Sequence, residues 1–151
     1  MIGLLQRITA ARVEVNGETV AAVGAGLLVL IGIQRGDMES HADRLLQRLL
    51  SFRVFPDHQG KMNRDLREVG GGLLLVPQFT LAADTRKGTR PSFTSAAAPD
   101  QSKLLFSYLL MQARAAHDPV DAGQFGAHML VSLTNDGPVT FWLEVANDNA
   151  A

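Results

Sequence analysis

The feature that most constrains the fold is a continuous apolar run, Leu27–Ile33, which follows Gly24 and Gly26. The run leaves no polar face for solvent, so it suits a strand that is buried on both faces. A second short apolar segment, Leu73–Val76, follows Gly70–Gly72 and has the same character. Both are far shorter than the roughly 20 residues that a membrane-spanning helix needs. The chain is therefore expected to bury a sheet inside its core.

Strand patterns lie near both ends of the chain. Residues 2–8 predict a first strand, and residues 12–23 contain two alternating runs around Asn16-Gly17. Asn-Gly is a strong hairpin signal because both central positions of a type I′ turn need positive φ. His128–Thr134 and Val139–Val145 predict two closing strands, joined by the turn between them.

Two helices are predicted between these hairpins. Asp37 is a candidate cap for the first helix, whose apolar residues recur at helical spacing from Leu45 to Phe52. Pro99 suits the first turn of the second helix, which should end near His117.

The order of the elements predicts an α+β fold with two main helices. A chain of 151 residues fits a single domain over residues 1–151. Its last residues, 147–151, are expected to be frayed.

Composition excludes several classes of function. There are no cysteines, so disulfides and thiolate metal sites are excluded, and a reducing cytoplasm is favoured. The four histidines share no metal-ligand spacing, and the sequence contains no G-x-S-x-G elbow, no G-x-x-x-x-G-K-[ST] loop and no H-E-x-x-H pair. We therefore expect a cytoplasmic protein with no metal, no cofactor, no signal peptide and no membrane partner.

Charge limits how much nucleic acid the chain can contact. The formal net charge is −1, whereas nucleic-acid binders usually carry a basic excess. Arg86, Lys87 and Arg90 form a local basic patch that could serve a small RNA footprint. They lie in a long irregular segment, residues 82–98, of a kind that is often functional. A solvated basic loop with no ligand is the alternative.

A buried strand ends at Pro77, and Gln78 and Thr80 place polar groups directly after it. Proline cannot donate to a strand ladder, so the strand must end there or lie at an edge. The polar side chains beyond it are candidates for a ligand site. The alternative is an ordinary strand end whose glutamine satisfies backbone groups.

Asn135-Asp136-Gly137-Pro138 is an awkward plain turn because Pro138 removes a donor at the start of the last strand. A cis Gly-Pro bond is accessible, since its gap to trans is about 0.5–1 kcal/mol. A cis bond would point two successive carbonyls the same way, to hold an ammonium group or to exclude a side chain. A trans turn without a role is the alternative.

Several separated segments, in the same order, resemble the D-aminoacyl-tRNA deacylase family. These are LLQRITAARVEVNGETV in the first strands, QFTLAAD (Gln78–Asp84), KGTRPSF (Lys87–Phe93), GQFGAHM (Gly123–Met129) and SLTNDGPVT (Ser132–Thr140). The resemblance covers essentially the whole chain. It implies the family's mostly antiparallel, barrel-like sheet and a homodimer with active sites at the subunit interface.

The resemblance also implies an activity. The family hydrolyses the ester that joins a D-amino acid, or glycine mischarged onto tRNA(Ala), to the 3′ end of tRNA. Gln78, Phe79 and Thr80 would be the catalytic residues, with Thr80 positioning rather than attacking, and with the ribose 2′-hydroxyl assisting water. Gly137-Pro138, supported by Asn135, would be a chirality filter that reaches into the partner's site.

Pro77 departs from the family pattern, in which serine is usual at this position. Proline here resembles the animal-type deacylase that removes L-Ala from tRNA(Thr). That activity is the first alternative. A non-catalytic RNA-binding dimer, suggested by the missing acid–base constellation, is the second.

Overall fold

The computed structural model describes residues 1–147. Its elements follow one another in this order: β1 (Ile2–Val15), β2 (Glu18–Val23), β3 (Gly26–Gly32), α1 (Glu39–Ser51), β4 (Phe55–Pro56), β5 (Met62–Arg64), α2 (Leu66–Val69), β6 (Gly72–Pro77), α3 (Pro99–Ala116), β7 (Val120–Ala122) and β8 (Leu130–Glu144). A 3-10 helix, Phe79–Ala82, lies directly after β6. The predicted α+β fold is confirmed, and its mixed sheet nearly closes into a barrel.

β1 is the centre of the sheet because it pairs with three other strands. β8 runs antiparallel to it from Ile2 to Glu14. A strand has only two edges, so the other edge is shared: β3 pairs with the first half of β1 and β2 with the second half. The turn between β1 and β2 is the predicted one, with positive φ at both Asn16 and Gly17.

β3, β6 and β7 are neighbouring parallel strands. Their last residues, Gly32, Pro77 and Ala122, therefore lie at one edge of the sheet, where ligand crevices form in parallel sheets. The Ala22 N–H of β2 donates to Asp121 Oδ2 of β7 at 3.0 Å. In the strand order β2-β1-β3-β6-β7, β2 and β7 are the two outer strands. The bond between them therefore brings the sheet close to a barrel.

The two apolar runs are buried on both faces, as predicted. Successive side chains of a strand point to opposite faces. Accordingly, Leu27 and Leu73 pack in the cluster that contains the helices, whereas Leu28 and Leu74 pack in a second cluster on the opposite face. α1 and α3 cover the first face with their buried leucines, including Leu49 and Leu109.

Asp37 does not cap α1, contrary to the expectation from sequence. Met38 holds the cap position, and the Asp37 carboxylate lies 2.9 Å from the Met1 ammonium, with both side chains fully buried. A buried ammonium needs a counter-charge far more than a helix end at the surface does. The carboxylate is therefore drawn inward.

The expected closing hairpin is a single strand, β8. Because β1 is long enough to pair with both halves, the chain continues instead of reversing. The pairing passes from Gln6–Thr140 to Ile8–Asn135, so residues 136–139 bulge out opposite Arg7.

The expectation of a frayed tail from residue 147 is wrong at Asn147. That side chain is buried, and its Nδ2 donates to the Arg35 carbonyl at 3.0 Å and to Asp37 Oδ1 at 2.9 Å. Residues 148–151, where the rest of that expectation falls, lie outside the described residues.

Candidate active site

A cleft of about 460 Å³ opens at the carboxyl ends of β6 and β7. One wall is Val76–Phe79, a second is Phe125–Met129, and the start of α3 contributes Pro99 and Ser102. The volume lies in the range of small-molecule sites, which are typically concave and mostly apolar. The cleft therefore includes Pro77, Gln78 and Phe79 of the segment singled out in the sequence.

A close approach to β3 fixes the Gln78–Ala82 segment. The Gln78 N–H donates to the Ile31 carbonyl at 2.8 Å, which extends the β3–β6 pairing beyond Pro77. A Cβ at Gly32 would lie 2.8 Å from Leu81 Cβ, so only glycine lets the 3-10 helix sit this close.

The backbone N–H groups of Gln78 and Phe79 border the cleft and are candidate donors to an oxyanion, but only one of them is available. The N–H of Gln78 is engaged in the sheet, so it cannot serve a ligand. Phe79 begins the 3-10 helix, and the first N–H groups of a helix have no partner within it. Within residues 1–147 the Phe79 N–H has no protein acceptor, which leaves it as the donor that the fold offers to the cleft.

The Thr80 hydroxyl forms a hydrogen bond with the side chain of Gln78, two residues earlier in the chain. Gln78 Nε2 donates to Thr80 Oγ1, and both side chains lie at the protein surface beside the cleft. A hydroxyl that accepts from an amide is not being deprotonated by it, since an amide N–H is a donor only. The contact suits a positioning role.

Acid–base groups are scarce in the cleft. Of the residues that the structure describes, His128 is the one titratable side chain that lines it, and this histidine is exposed. No carboxylate and no lysine takes part in the lining given above. A nucleophile activated by a buried base therefore has no structural support here.

The bulge that holds Gly137-Pro138 is fixed from two sides. The Val139 N–H donates to Asn135 Oδ1 at 2.6 Å, and Asn135 Nδ2 donates to Thr140 Oγ1 at 2.9 Å. From β1, Arg7 Nε donates to the Asp136 carbonyl at 2.9 Å. The Asn135 amide is thus used within the bulge.

Gly137 and Pro138 themselves are exposed, and the peptide bond between them is cis. Gly137 has φ 146°, and a Cβ there would lie 2.6 Å from Val139 Cγ2. This position therefore favours glycine over any other residue.

The two candidate motifs do not meet within one chain. Val131 lines the cleft, but Asn135 follows it four residues later in the same strand, roughly 13 Å away along β8. Gly137 and Pro138 lie beyond that point and do not line the cleft.

The basic loop is less uniform than the sequence suggested. Arg86 makes a bidentate pair with Asp84, with Nε–Oδ1 at 2.9 Å and Nη2–Oδ2 at 2.7 Å. Hydrogen bonds from Arg86 hold the pKa of Asp84 well below its usual range, and the same contact raises the pKa of Arg86. No ion pair within residues 1–147 involves Lys87 or Arg90, so these two are the available cations.

Sequence reasoning assigned neither Arg7 nor the Phe125–Met129 wall to the site, although the wall lies within the GQFGAHM segment that resembles the family. Arg7 offered a signal, because it is a charged residue within the predicted first strand, residues 2–8. The Phe125–Met129 wall has no periodicity, and only the topology carries it to the end of β6.

Comparison with known proteins decides the family. The family model described as D-Tyr-tRNA(Tyr) deacylase matches residues 4–144. The chain belongs to this family. Proteins named D-aminoacyl-tRNA deacylase from Thioalkalivibrio sulfidiphilus and from Janthinobacterium sp. (strain Marseille) are each 63% identical over 96% of this chain and 97% of their own.

Solved structures of similar proteins share the fold of the deacylase family. A protein described as c-Myc DNA unwinding element binding protein superposes with a TM-score of 0.93 at 36% identity, over 97% of this chain and 100% of its own. A probable eukaryotic D-amino acid tRNA deacylase gives a TM-score of 0.82 at 19% identity, over 95% and 98%, and this likeness concerns the fold alone. Of the helices described, none has the length and apolar character needed to cross a membrane.

Proposed function

We propose that this chain hydrolyses the ester bond between a D-amino acid and the 3′-terminal adenosine of tRNA. The observation that carries the proposal is the cleft at the ends of β6 and β7, bordered by Gln78 and Phe79, in a chain of the deacylase family. Aminoacyl-tRNA is the partner, and the cytoplasm, where it is made, is the proposed location.

The Phe79 N–H is the proposed donor to the oxyanion of the tetrahedral intermediate. One such donor contributes about 2.7–4 kcal/mol to transition-state stabilisation. Thr80 would position the substrate through its contact with Gln78. Thr80→Ala should therefore keep substantial activity, and complete inactivity, with Thr80→Ser active, would instead indicate a nucleophile.

The ribose 2′-hydroxyl of the terminal adenosine is proposed to assist attack by water. The cleft supports this because, over residues 1–147, His128 is the titratable side chain in its lining and is exposed. A substrate ending in 2′-deoxyadenosine should react far more slowly, whereas His128→Gln should have little effect. The opposite pattern would assign the general-base role to His128.

Chirality would be read by Gly137-Pro138 of a second copy of the chain. The bulge is exposed, fixed by Arg7 and Asn135, and remote from the cleft of its own chain. A filter that works by excluding an L side chain cannot exclude glycine, so glycine mischarged onto tRNA(Ala) would also be cleaved.

A homodimer is proposed on the exposed side of β8. One edge of this strand pairs with β1, and Leu130, Phe141 and Trp142 are exposed along it. Unpaired strand edges and exposed apolar side chains favour association. Sedimentation velocity should give a dimer mass that Trp142→Glu lowers, and a monomeric wild-type protein would contradict the arrangement.

The decisive experiment compares D-Tyr-tRNA with L-Tyr-tRNA and L-Ala-tRNA(Thr) as substrates of the purified protein. Clearance of the D-substrate alone supports the proposal. Pro77, which lines the cleft, favours the alternative L-Ala-tRNA(Thr) activity, because proline at this position resembles the animal-type deacylase and lacks the hydroxyl of the usual serine. Clearance of only the L-Ala substrate would establish that alternative.

A non-catalytic RNA-binding role is the remaining alternative, favoured by the scarcity of acid–base groups in the cleft. It predicts binding of D-Tyr-tRNA without any change in the half-life of its ester. Turnover by catalytic amounts of protein would exclude it.

A further inference from the structure

A second cleft, of about 480 Å³, lies beside the first. The two share Phe79, Ala97 and Pro99 in their walls, so the two clefts adjoin one another. The second cleft is completed by Arg35, which follows β3, and by Phe93 and Gln101. It therefore occupies the same edge of the sheet, at the carboxyl end of β3.

Two exposed aromatic rings border this second cleft. Phe79 is 61% exposed and Phe93 is 42% exposed, and their centroids lie 5.2 Å apart at an interplanar angle of 47°. Neighbouring exposed apolar side chains that form a patch mark interaction sites, among them ligand-binding grooves. Nucleic acid bases stack on such rings, and each stacked base contributes about 1–3 kcal/mol.

Among residues 1–147, Arg35 is the charged residue in the lining of the second cleft. Within residues 1–147 no carboxylate lies within 4.0 Å of its guanidinium. Its backbone is fixed, because its N–H donates to the Ser95 carbonyl at 2.9 Å and its carbonyl accepts from Asn147 Nδ2. An unpaired guanidinium on a fixed backbone suits a phosphate group.

We propose that the second cleft binds the nucleotide that precedes the terminal adenosine of the tRNA. Its base would stack on Phe93, and its phosphate would contact Arg35. This rests on the proposed function, which places the terminal adenosine and its ester in the first cleft. The nucleotide chain would then continue past Ser92 towards Lys87, which together line the neighbouring surface of the basic loop.

The test compares a minimal substrate, D-tyrosyl-adenosine, with D-tyrosyl-CpCpA, which adds the two cytidines of the tRNA terminus. The variants are Phe93→Leu, which keeps apolar volume but loses the ring, and Arg35→Gln. Controls are Leu104→Ala and Arg114→Gln, two exposed positions on α3 that line neither cleft.

We expect Phe93→Leu and Arg35→Gln each to lower kcat/KM on D-tyrosyl-CpCpA by roughly fivefold or more, mainly through KM. Their activity on D-tyrosyl-adenosine should stay within about twofold of wild type, as should both controls on either substrate. Equal losses on the two substrates, or no loss on either, would overturn the second-cleft assignment while leaving the deacylase function intact. A wild-type protein that cleaves neither substrate would overturn the proposed function itself.

Discussion

Arg7 Nε donates to the main-chain oxygen of Asp136 at 2.9 Å and so joins the central strand to the bulge that carries Gly137-Pro138. The same guanidinium donates through Nη1 to the Val54 carbonyl at 2.6 Å, and the side chain is only 13% exposed. One residue therefore ties the exposed bulge to the sheet and to the segment between α1 and β4.

Arg7→Lys should destabilise the fold and loosen the bulge. Lysine keeps the charge but cannot reach both carbonyls with a planar fork. A hydrogen bond to a charged group contributes about 1.5–3 kcal/mol, so the free energy of unfolding in urea should fall by about that amount. Arg12→Lys, on the same strand but exposed, is the control and should change little. Equal stability of the two variants would contradict the role given to Arg7.

Gly137→Ala should reduce discrimination between D- and L-substrates. The added Cβ would collide with Val139, and the φ of 146° disfavours any side chain, so the bulge must change shape. We expect the D-Tyr-tRNA to L-Tyr-tRNA ratio of kcat/KM to fall at least tenfold, equivalent to about 1.4 kcal/mol. Gly17→Ala, also at positive φ but with open space around it, controls for backbone strain alone. An unchanged ratio would place the chirality filter elsewhere.

Asp37→Asn should be strongly destabilising. The carboxylate contacts the Met1 ammonium at 2.9 Å where both side chains are fully buried, and asparagine would leave that charge unpaired. Removing one partner of a buried ion pair typically costs about 3–5 kcal/mol, which urea denaturation would measure. Glu18→Gln, exposed in β2, should lie within about 0.5 kcal/mol of wild type.

Tyr108 should titrate above the ordinary range for tyrosine. Its hydroxyl donates to Asp43 Oδ1 at 2.8 Å, and this bond, with the carboxylate's charge, raises its pKa above 10.0. Because the folded pKa is the higher one, the stabilisation is present below about pH 10 and is lost as pH rises through the folded value.

The chain contains one tyrosine, so tyrosinate absorbance reports Tyr108 directly. Asp43→Asn should bring the midpoint of the titration back towards 10.0. A midpoint that this substitution leaves unchanged would show that the bond to Asp43 does not form in solution.

Lys87 and Arg90 should contribute more to tRNA binding than Arg86, because Arg86 is already paired with Asp84. Replacing Lys87 and Arg90 together by glutamine should lower the slope of log affinity against log salt by about 0.7 for each single-strand phosphate that is no longer neutralised. Arg86→Gln is the matched comparison and should change the slope less. Equal slopes for wild type and the double variant would remove the loop from the RNA interface.

Turn and helix-start signals in the sequence correctly predicted the turn and the helix in which they lie. Asn16-Gly17 forms its turn, and Pro99 begins α3. Elements without a period were missed: the four-residue helix α2 and the three-residue strand β7 are too short for a pattern to distinguish. β7 is held by its parallel pairing with β6, which no local propensity reports.

The Gln78–Thr80 segment could be located from the sequence because its polar residues follow a buried strand. The Phe125–Met129 wall could not, because it reaches the cleft only through the parallel order of β6 and β7. Arg35 is brought beside Phe93 by backbone contacts between distant segments, among them the bond from the Arg35 N–H to the Ser95 carbonyl at 2.9 Å.

The sequence by itself determined the two buried strands, the first hairpin, the main helices and the segments that mark the family, since these depend on local periodicity, turn chemistry and motif order. Only the tertiary structure decided that β8 is one strand, that Asp37 faces the ammonium of Met1, and that Gly137-Pro138 lies away from the cleft of its own chain. The physical reason is the length of β1: a strand of 14 residues offers one edge to both halves of β8, and long-range pairing then overrides the local turn signal.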